Sequence, residues 1–319
     1  MIDRLGFGAA SLGNLYREVS DEQACAALAA AWDEGVRVYD TAPHYGLGLS
    51  ERRLGAFLSG LPADEYVLST KVGRLLVPNP DFDGGTDEAD GFAVPADRIR
   101  RFDPSRSGVE RSLHESLERM GVDQVDVAYL HDPDVYDLDA GISQGLPALV
   151  ELREQGVVTE VGIGVNDVGA ALRAVEESDI DVVMIAGRYT LLEQPAASEL
   201  LPRCLARGVR VVTAAVFNSG LLATETRAAD AHYNYGAVPE EVAARVDLLA
   251  QVCERHEVTL PQAAIQFPLR HPAVSTVVVG TSRAAAVREN ARHLRASIPE
   301  ELWLELERLG LIPAPAFER

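Results

Sequence analysis

Cysteine is scarce in this chain. The three present, Cys25, Cys204 and Cys253, are odd in number and far apart. Each lies in an apolar helical pattern such as EQACAALAAAW, so neither a disulfide framework nor a zinc site is expected, and they read as reduced core residues. Aromatic residues are few as well, 6% of 319 positions, although 47% are apolar. That combination excludes a disordered chain and points to an interior of Ala, Val and Leu. Positive charge is in deficit, with 29 Lys and Arg against 49 Asp and Glu and a formal net charge of -20. Repulsion of like charge then removes nucleic acid and anionic membrane from the expected partners and leaves a soluble protein that meets small molecules.

Long uncharged runs are missing too. None approaches the ~18 residues of a membrane span, and Asp3 and Arg4 precede any apolar stretch, so the cytoplasm is the expected compartment. The seven histidines contain no H-E-x-x-H. The acidic run DFDGGTDEADG places Gly85 where an EF-hand loop needs its third ligand, so no metal is expected. No G-x-G-x-x-G joins a first strand to a first helix, so the dinucleotide crevice of a Rossmann fold is not supported. Nothing in the pattern specifies an oligomeric state.

What is present is a repeated alternation of buried strands and amphipathic helices. Strands are expected at 5–12 (LGFGAASL), 36–40, 66–72, 125–131, 158–164, 181–187, 209–215 and in the closing run VSTVVVG, with near-continuous apolar content that fits parallel pairing. Between them fall helices from a Ser20/Gln23 capping box to Gly35, at 50–58, 105–120, 142–155, 167–177, 195–206, 239–256 and 260–270. Eight strands, each with a following helix, predict an α/β fold: a single (β/α)8 TIM barrel of one domain, 1–319. Three connections are too long for turns and predict long substrate loops at the C-terminal face: 73–104 with Pro78, Pro80, Pro95 and Pro104, 132–141, and 216–238 with Phe217, Tyr233 and Tyr235 as stacking groups.

The chemistry converges on VRVYDTAPHYGLGLSE. Its strand ends at Asp40 and Tyr45 follows on the loop, which is where barrels of this kind keep reactive groups. A tyrosine titrates near ~10, so acid or base work near neutrality asks for a shift of roughly 2 to 3 units. Lys71, closing VLSTKVG, is the cation to supply it, with Asp40 fixing the ammonium. His131 ends VAYLHDP in the same way. Tyr16, His44 and Arg74 stand on neighbouring loops as candidate substrate contacts. In VVVGTSRAAAVREN, Gly280, Thr281 and Ser282 end a strand just before a helix, a phosphate-binding geometry to which Arg283 adds charge.

Four polar groups at strand ends or just beyond them, in YDTAPHYG with LSERRLG, STKVGR and YLHDPD, resemble the Asp, Tyr, Lys, His tetrad of the aldo-keto reductases, a resemblance that runs over nearly the whole chain. It implies Asp40, Tyr45, Lys71 and His131 as catalytic groups and NADP or NAD as cofactor. Glu289 and Asn290 would reach the adenine and Asn166 the nicotinamide amide. Several positions depart from the family pattern. Ala286 stands for a frequent Arg, which leaves NAD open beside NADP. Gly164 and Val165 replace a Ser-Asn pair, and Ala186 replaces a Gln. Ala214 lacks the stacking ring, for which Phe217 is the substitute. The start of the chain also lacks most of the family's N-terminal hairpin, with stability rather than chemistry expected to feel it. GNLYREVSDEQA, AGRYTLLEQ, FNSGLLAT and HYNYG are similar to the sugar 1-dehydrogenase branch, acting on L-fucose or D-threo-aldoses, with pyridoxal 4-dehydrogenase nearby. The alternatives are an NADPH-dependent aldehyde or ketone reductase and, outside enzymes, a cofactor-sensing binding module.

Overall fold

The computed structural model describes residues 4–224, 232–233 and 236–314. Eight strands, β1 Leu5–Gly8, β2 Val38–Asp40, β3 Val67–Val72, β4 Val125–His131, β5 Val158–Val165, β6 Val182–Ala186, β7 Arg210–Ala214 and β8 Val274–Val279, run parallel and close into a barrel in the order β1-β8-β7-β6-β5-β4-β3-β2. The alternation of a strand's side chains sorts them into two layers. Val127, Tyr129, Val182, Met184, Val212 and Val278 form one buried cluster inside the barrel. Ala128, Leu130, Ile163, Val183, Ile185 and Val277 face outward and join Leu28, Leu149, Ala174 and Leu200 from the helices. Each fully buried Leu or Ile of this shell stabilises the fold by roughly 1.5–3 kcal/mol. Cys204 and Cys253 are buried as expected, whereas Cys25 is exposed.

The expected elements form with informative changes. The first strand stops at Gly8, and residues 9–13 curl into a 3-10 turn instead. The curl brings Gly13 against the next loop: a Cβ on Gly13 would lie 2.6 Å from the Tyr45 carbonyl carbon, and one on Gly46, at φ +61, would lie 2.2 Å from the Gly13 oxygen. Only glycine tolerates both the contact and the left-handed backbone. The expected helix 195–206 splits into a 3-10 turn at 195–197 and a helix Leu200–Arg207. Pro202 cannot sit deep in a helix, because it lacks the N–H and its ring collides with the preceding turn, so the helix restarts just before it. The stretch 142–155 opens with a π turn, 141–145, ahead of Pro147.

The connection 73–104 is more ordered than its Pro and Gly content suggests. Arg74–Pro78 pairs antiparallel with Arg98–Phe102, and Thr86–Asp87 with Phe92–Pro95. The second ribbon is pinned to the turn after β1 by Tyr16 N–H to Gly91 O at 2.8 Å and Ala93 N–H to Asn14 O at 2.9 Å. Tyr235 lies outside the described residues.

Candidate active site

Strand register sets the site. Gly8 pairs with Asp40, Asp40 with Ser69, Lys71 with Tyr129, and His131 with Gly164, so the inward side chains at the C-terminal rim are Asp40, Lys71, His131 and, past Gly164, Ala186, Ala214 and Gly280. Together with His44, Tyr45, Asp132, Asn166 and neighbours, these residues line a cleft of about 350 Å³. A larger recess of about 600 Å³ at the opposite end, lined by Arg4, Arg270 and Arg295, has its guanidinium groups engaged by Leu269 and Val274 carbonyls, Glu307 and Glu34.

Lys71 is buried and donates to Asp40 Oδ2 at 2.6 Å and to the Thr41 carbonyl at 3.0 Å, while Ser69 Oγ donates to Asp40 Oδ1 at 2.8 Å. The ammonium lies over the Tyr45 ring, 4.8 Å from its centroid. His131 stands edge-on to that ring, 6.0 Å between centroids. The structure therefore brings all four strand-end groups into one network. Burial alone would push the Lys71 ammonium down, but Asp40 and then Tyr45 outweigh it and hold it above the usual lysine range. The phenol behaves differently from the expectation. Burial lifts Tyr45 above 10, and the pull of Lys71, though downward, offsets only part of that rise.

Around this network sits a second ring of charge. His44 stacks edge-on against His131 at 5.6 Å and Phe92 at 5.3 Å, and its carbonyl accepts from Arg100, which also pairs with Asp87 at 2.6 Å and Asp90 at 2.7 Å. Arg74 is buried and donates to Asp132 Oδ2 at 2.5 Å. Burial, with Arg100, Arg74 and Lys71 nearby, pushes the His44 imidazole down to about 2. Burial and the Arg74 and Lys71 charges hold His131 far below its ordinary value. Both rings are neutral at physiological pH. Of the three candidate substrate contacts, His44 lines the cleft, Arg74 stands behind Asp132, and Tyr16 is 67% exposed and off the lining.

The other half of the cleft is made of small residues. Gly8, Gly164, Ala186, Ala214, Ala215 and Gly280 leave a trough beside Lys71, and a Cβ on Gly164 would reach to 3.6 Å from Lys71 Cε. The trough runs to the turn before the helix Ala284–Arg295, where Thr281 Oγ1 accepts from the Arg283 N–H at 3.2 Å and Ser282 Oγ accepts from Arg17 at 3.0 Å. A flat ring beside Lys71 and a phosphate at that turn both fit, so the residues present suit a nicotinamide dinucleotide. Asn166 lines the cleft, its carbonyl taken by Arg188 at 2.7 Å. Glu289 is exposed and Asn290 half-buried on the following helix. Phe217 packs into the helical shell and is absent from the lining.

Asp132, Arg17, Ser69 and Arg100 escaped the reading of the sequence. Asp132 stood inside a quoted motif, YLHDPD, unassigned. For Lys71 a stronger signal existed than its strand-end position: it is the only lysine among the 29 Lys and Arg residues.

A closed parallel barrel whose rim sets a Tyr–Lys–Asp network and a neutral histidine beside a trough of small residues suits an oxidoreductase that acts on CH–OH groups. The chain belongs to the Aldo/keto reductase family, which it matches over residues 4–310, and members of that family work with nicotinamide cofactors. It is 52% identical to a D-threo-aldose 1-dehydrogenase from Pseudomonas sp, covering 98% of this chain and 96% of that one. It is 38% identical to a pyridoxal 4-dehydrogenase from Microbacterium luteolum, covering 98% and 95%. Among solved structures, an aldo-keto reductase from Bacillus halodurans in its holo form superposes with a TM-score of 0.76 at 25% identity, covering 99% of this chain and 94% of that one.

Proposed function

We propose that the protein oxidises the anomeric carbon of a free aldose, of the L-fucose or D-threo-aldose type, to a lactone, with NADP or NAD as the hydride acceptor, and that residues 1–319 act as one catalytic domain. The observation that carries the reading is the polar half of the rim. A phenol beside a buried ammonium faces a neutral histidine in a cleft walled by further carboxylate and imidazole groups, which suits a substrate dense in hydroxyls better than an apolar carbonyl compound. The 52% identity to a D-threo-aldose 1-dehydrogenase supports it.

In this reading Tyr45, as phenolate, takes the proton of the anomeric hydroxyl while the C1 hydrogen leaves as hydride, and the C1–O bond becomes the lactone carbonyl. Lys71, fixed by Asp40, stabilises the phenolate. His131, neutral, donates a hydrogen bond to the same oxygen and orients it, and His44 contacts a further hydroxyl. Arg74 stands behind Asp132 and holds it in place, and Tyr16, exposed, lies off the lining. The bound dinucleotide supplies the hydride acceptor. Asn166, Gly280, Thr281, Ser282 and Arg283 would hold it, with Arg17 added to that set and Glu289 and Asn290 toward the adenine, while Phe217, packed in the helical shell, stands off the lining. Three free cysteines favour a reducing compartment such as the cytoplasm.

The test is nicotinamide absorbance at 340 nm with both dinucleotides against a panel of aldoses, simple aldehydes and pyridoxal. Because burial holds the Tyr45 phenol above its ordinary value and oxidation needs its phenolate, aldose oxidation should rise toward alkaline pH and reduction should fall. Good reduction of ordinary aldehydes with no signal from any aldose at alkaline pH sinks the proposal. Dinucleotide binding without turnover of anything in the panel would favour a sensing module.

A further inference from the structure

Two carboxylates of the cleft lining have no direct task in the proposed mechanism: Asp90, which pairs with Arg100, and Asp132. Asp132 follows His131 and lines the cleft with its side chain 23% exposed. Its backbone is left-handed, φ 40 and ψ 56, a conformation that aspartate tolerates better than most non-glycine residues but that still costs roughly 1–2 kcal/mol unless the surroundings hold it. They do so here. The Asp132 N–H is held by the Gly164 carbonyl at 2.9 Å, its own carbonyl accepts from Val135 at 3.2 Å, and Arg74 grips Oδ2 at 2.5 Å.

An ion pair this buried is weak evidence of stabilisation, because desolvation consumes most of the attraction. Strain plus desolvation is a poor bargain for stability alone, so the placement of the carboxylate needs another reason. Oδ2 lies 3.4 Å from His131 Nε2, beside the group that orients the reacting oxygen. Vicinal oxygens of a polyol sit about one hydrogen-bond length apart. A hydroxyl on the carbon next to the reacting one therefore falls at this carboxylate when the reacting oxygen lies between Tyr45 and His131. Arg74 has its Nε buried and without a partner among the described residues, which suits a guanidinium committed to holding Asp132 rather than to meeting substrate.

We propose that Asp132, positioned by Arg74, is the specificity-determining residue of the cleft, accepting a hydrogen bond from the substrate hydroxyl adjacent to the reacting carbon. This rests on the sugar-oxidising reading for the identity of the natural substrate, but the recognition itself concerns any 2-hydroxy carbonyl compound or its hemiacetal. It selects hydroxylated substrates by leaving the carboxylate, still held by Arg74, one hydrogen bond short when the hydroxyl is missing.

Two substrate pairs test it in wild type, Asp132→Ala and Asp132→Asn: an aldose and its 2-deoxy counterpart in oxidation, and glycolaldehyde and acetaldehyde in reduction. Asp132→Ala should lose about 10- to 150-fold in kcat/KM on the hydroxylated member of each pair, the range for a hydrogen bond to a charged group. The loss should fall mainly on KM, with the hydroxyl-free member changed less than about threefold. Asp132→Asn keeps the volume and an acceptor oxygen for Arg74, so it should lose less stability than Asp132→Ala and fall between the two in kcat/KM. Equal losses on both members of each pair, or a fall in kcat for all substrates with a lower unfolding midpoint, would overturn the proposal in favour of a structural ion pair. If wild type oxidises no aldose but its preference for glycolaldehyde collapses in Asp132→Ala, the sugar reading fails and Asp132 keeps its role.

Discussion

The two halves of the barrel rim reach function by opposite means. On β2, β3 and β4 the inward positions hold Asp40, Lys71 and His131, each fixed by named partners and backed by a ring of charge. On the β5 to β8 side the equivalent positions are Gly164, Ala186, Ala214 and Gly280, and their contribution is the space they leave. Chemistry that handles a proton needs groups of set charge at set places, whereas a planar ring and a phosphate chain need room and backbone N–H groups. One half therefore fails when a side chain is removed. The other fails when one is added.

The largest effect should come from the polar half. Tyr45→Phe keeps the ring packing and removes the acid–base oxygen, so turnover should fall by at least ~10² to 10⁴ with circular dichroism and dinucleotide affinity unchanged. Lys71→Met should cut turnover comparably and also destabilise the fold, because Asp40 would remain buried without its counter-charge, at a cost of about 3–5 kcal/mol. Adding Asp40→Asn to Lys71→Met should restore much of the stability and none of the turnover, separating the two roles in denaturant curves and steady-state rates. Since Lys71 is the only lysine, its ammonium should give the single lysine Nζ resonance in the spectrum of labelled protein, and that signal should keep its charge to beyond pH 10. A Tyr45→Phe enzyme with near-normal turnover would dissolve the distinction between the halves.

The small half should break by filling. A methyl group at Gly164 meets only ordinary contacts, 3.6 Å from Lys71 Cε and Tyr129 Cβ, so Gly164→Ala should fold and bind dinucleotide nearly normally. Gly164→Leu extends into the trough and should weaken dinucleotide binding by about 10- to 100-fold, the scale of 1–3 kcal/mol of overpacking. Two residues earlier the logic reverses: a Cβ on Gly162 would lie 1.8 Å from the Val182 carbonyl oxygen, so Gly162→Ala should compromise the barrel itself. Fluorescence titration with the dinucleotide checks the first pair and thermal unfolding the second. Unchanged affinity in Gly164→Leu would move the dinucleotide out of this trough.

This contrast also explains what could be read from the sequence. The barrel was legible because parallel strands buried on both faces and helices with a polar side leave separate periodic traces. The polar half was legible because Asp40, Lys71 and His131 interrupt apolar runs at strand ends, where a buried charge needs a reason. Gly164, Ala186 and Ala214 carry no such mark, since a small residue looks the same whether it serves packing or a ligand, and only a family comparison exposed them as departures. The pairing of Arg74 with Asp132 was invisible for a different reason: 58 residues separate them, and only the closed register of β3 beside β4 brings them together. Tertiary burial likewise decided the Tyr45 titration, which chain-local reasoning about Lys71 set in the wrong direction overall.

The smallest predicted effect concerns the charge ring of the polar half. His44 and His131 are held neutral in the folded protein, His44 down to about 2, whereas an unfolded chain protonates histidine near ~6.5. Their folded values are depressed, so the native state refuses protons that the unfolded state takes up. Stability is accordingly intact above about pH 6.5 and falls as the pH drops below it. The slope is about 1.4 kcal/mol per pH unit for each histidine. Between pH 6 and 5 most exposed carboxylates are still ionised, so the limb there is set by buried groups, the histidines together with Asp132 and Glu51, whose carboxyls burial raises. His271, buried away from the cleft and lowered by burial alone, adds to the same limb. Replacing His44 with Gln, which cannot titrate, should therefore flatten the dependence of unfolding free energy on pH by about 1.4 kcal/mol per unit in that window. His271→Gln should flatten it without altering substrate kinetics. Urea midpoints at half-unit pH steps read the slope directly. If His44→Gln leaves the acid limb unchanged, the imidazole already accepts a proton in the native state, and the cations around the polar half do not control the site as the geometry requires.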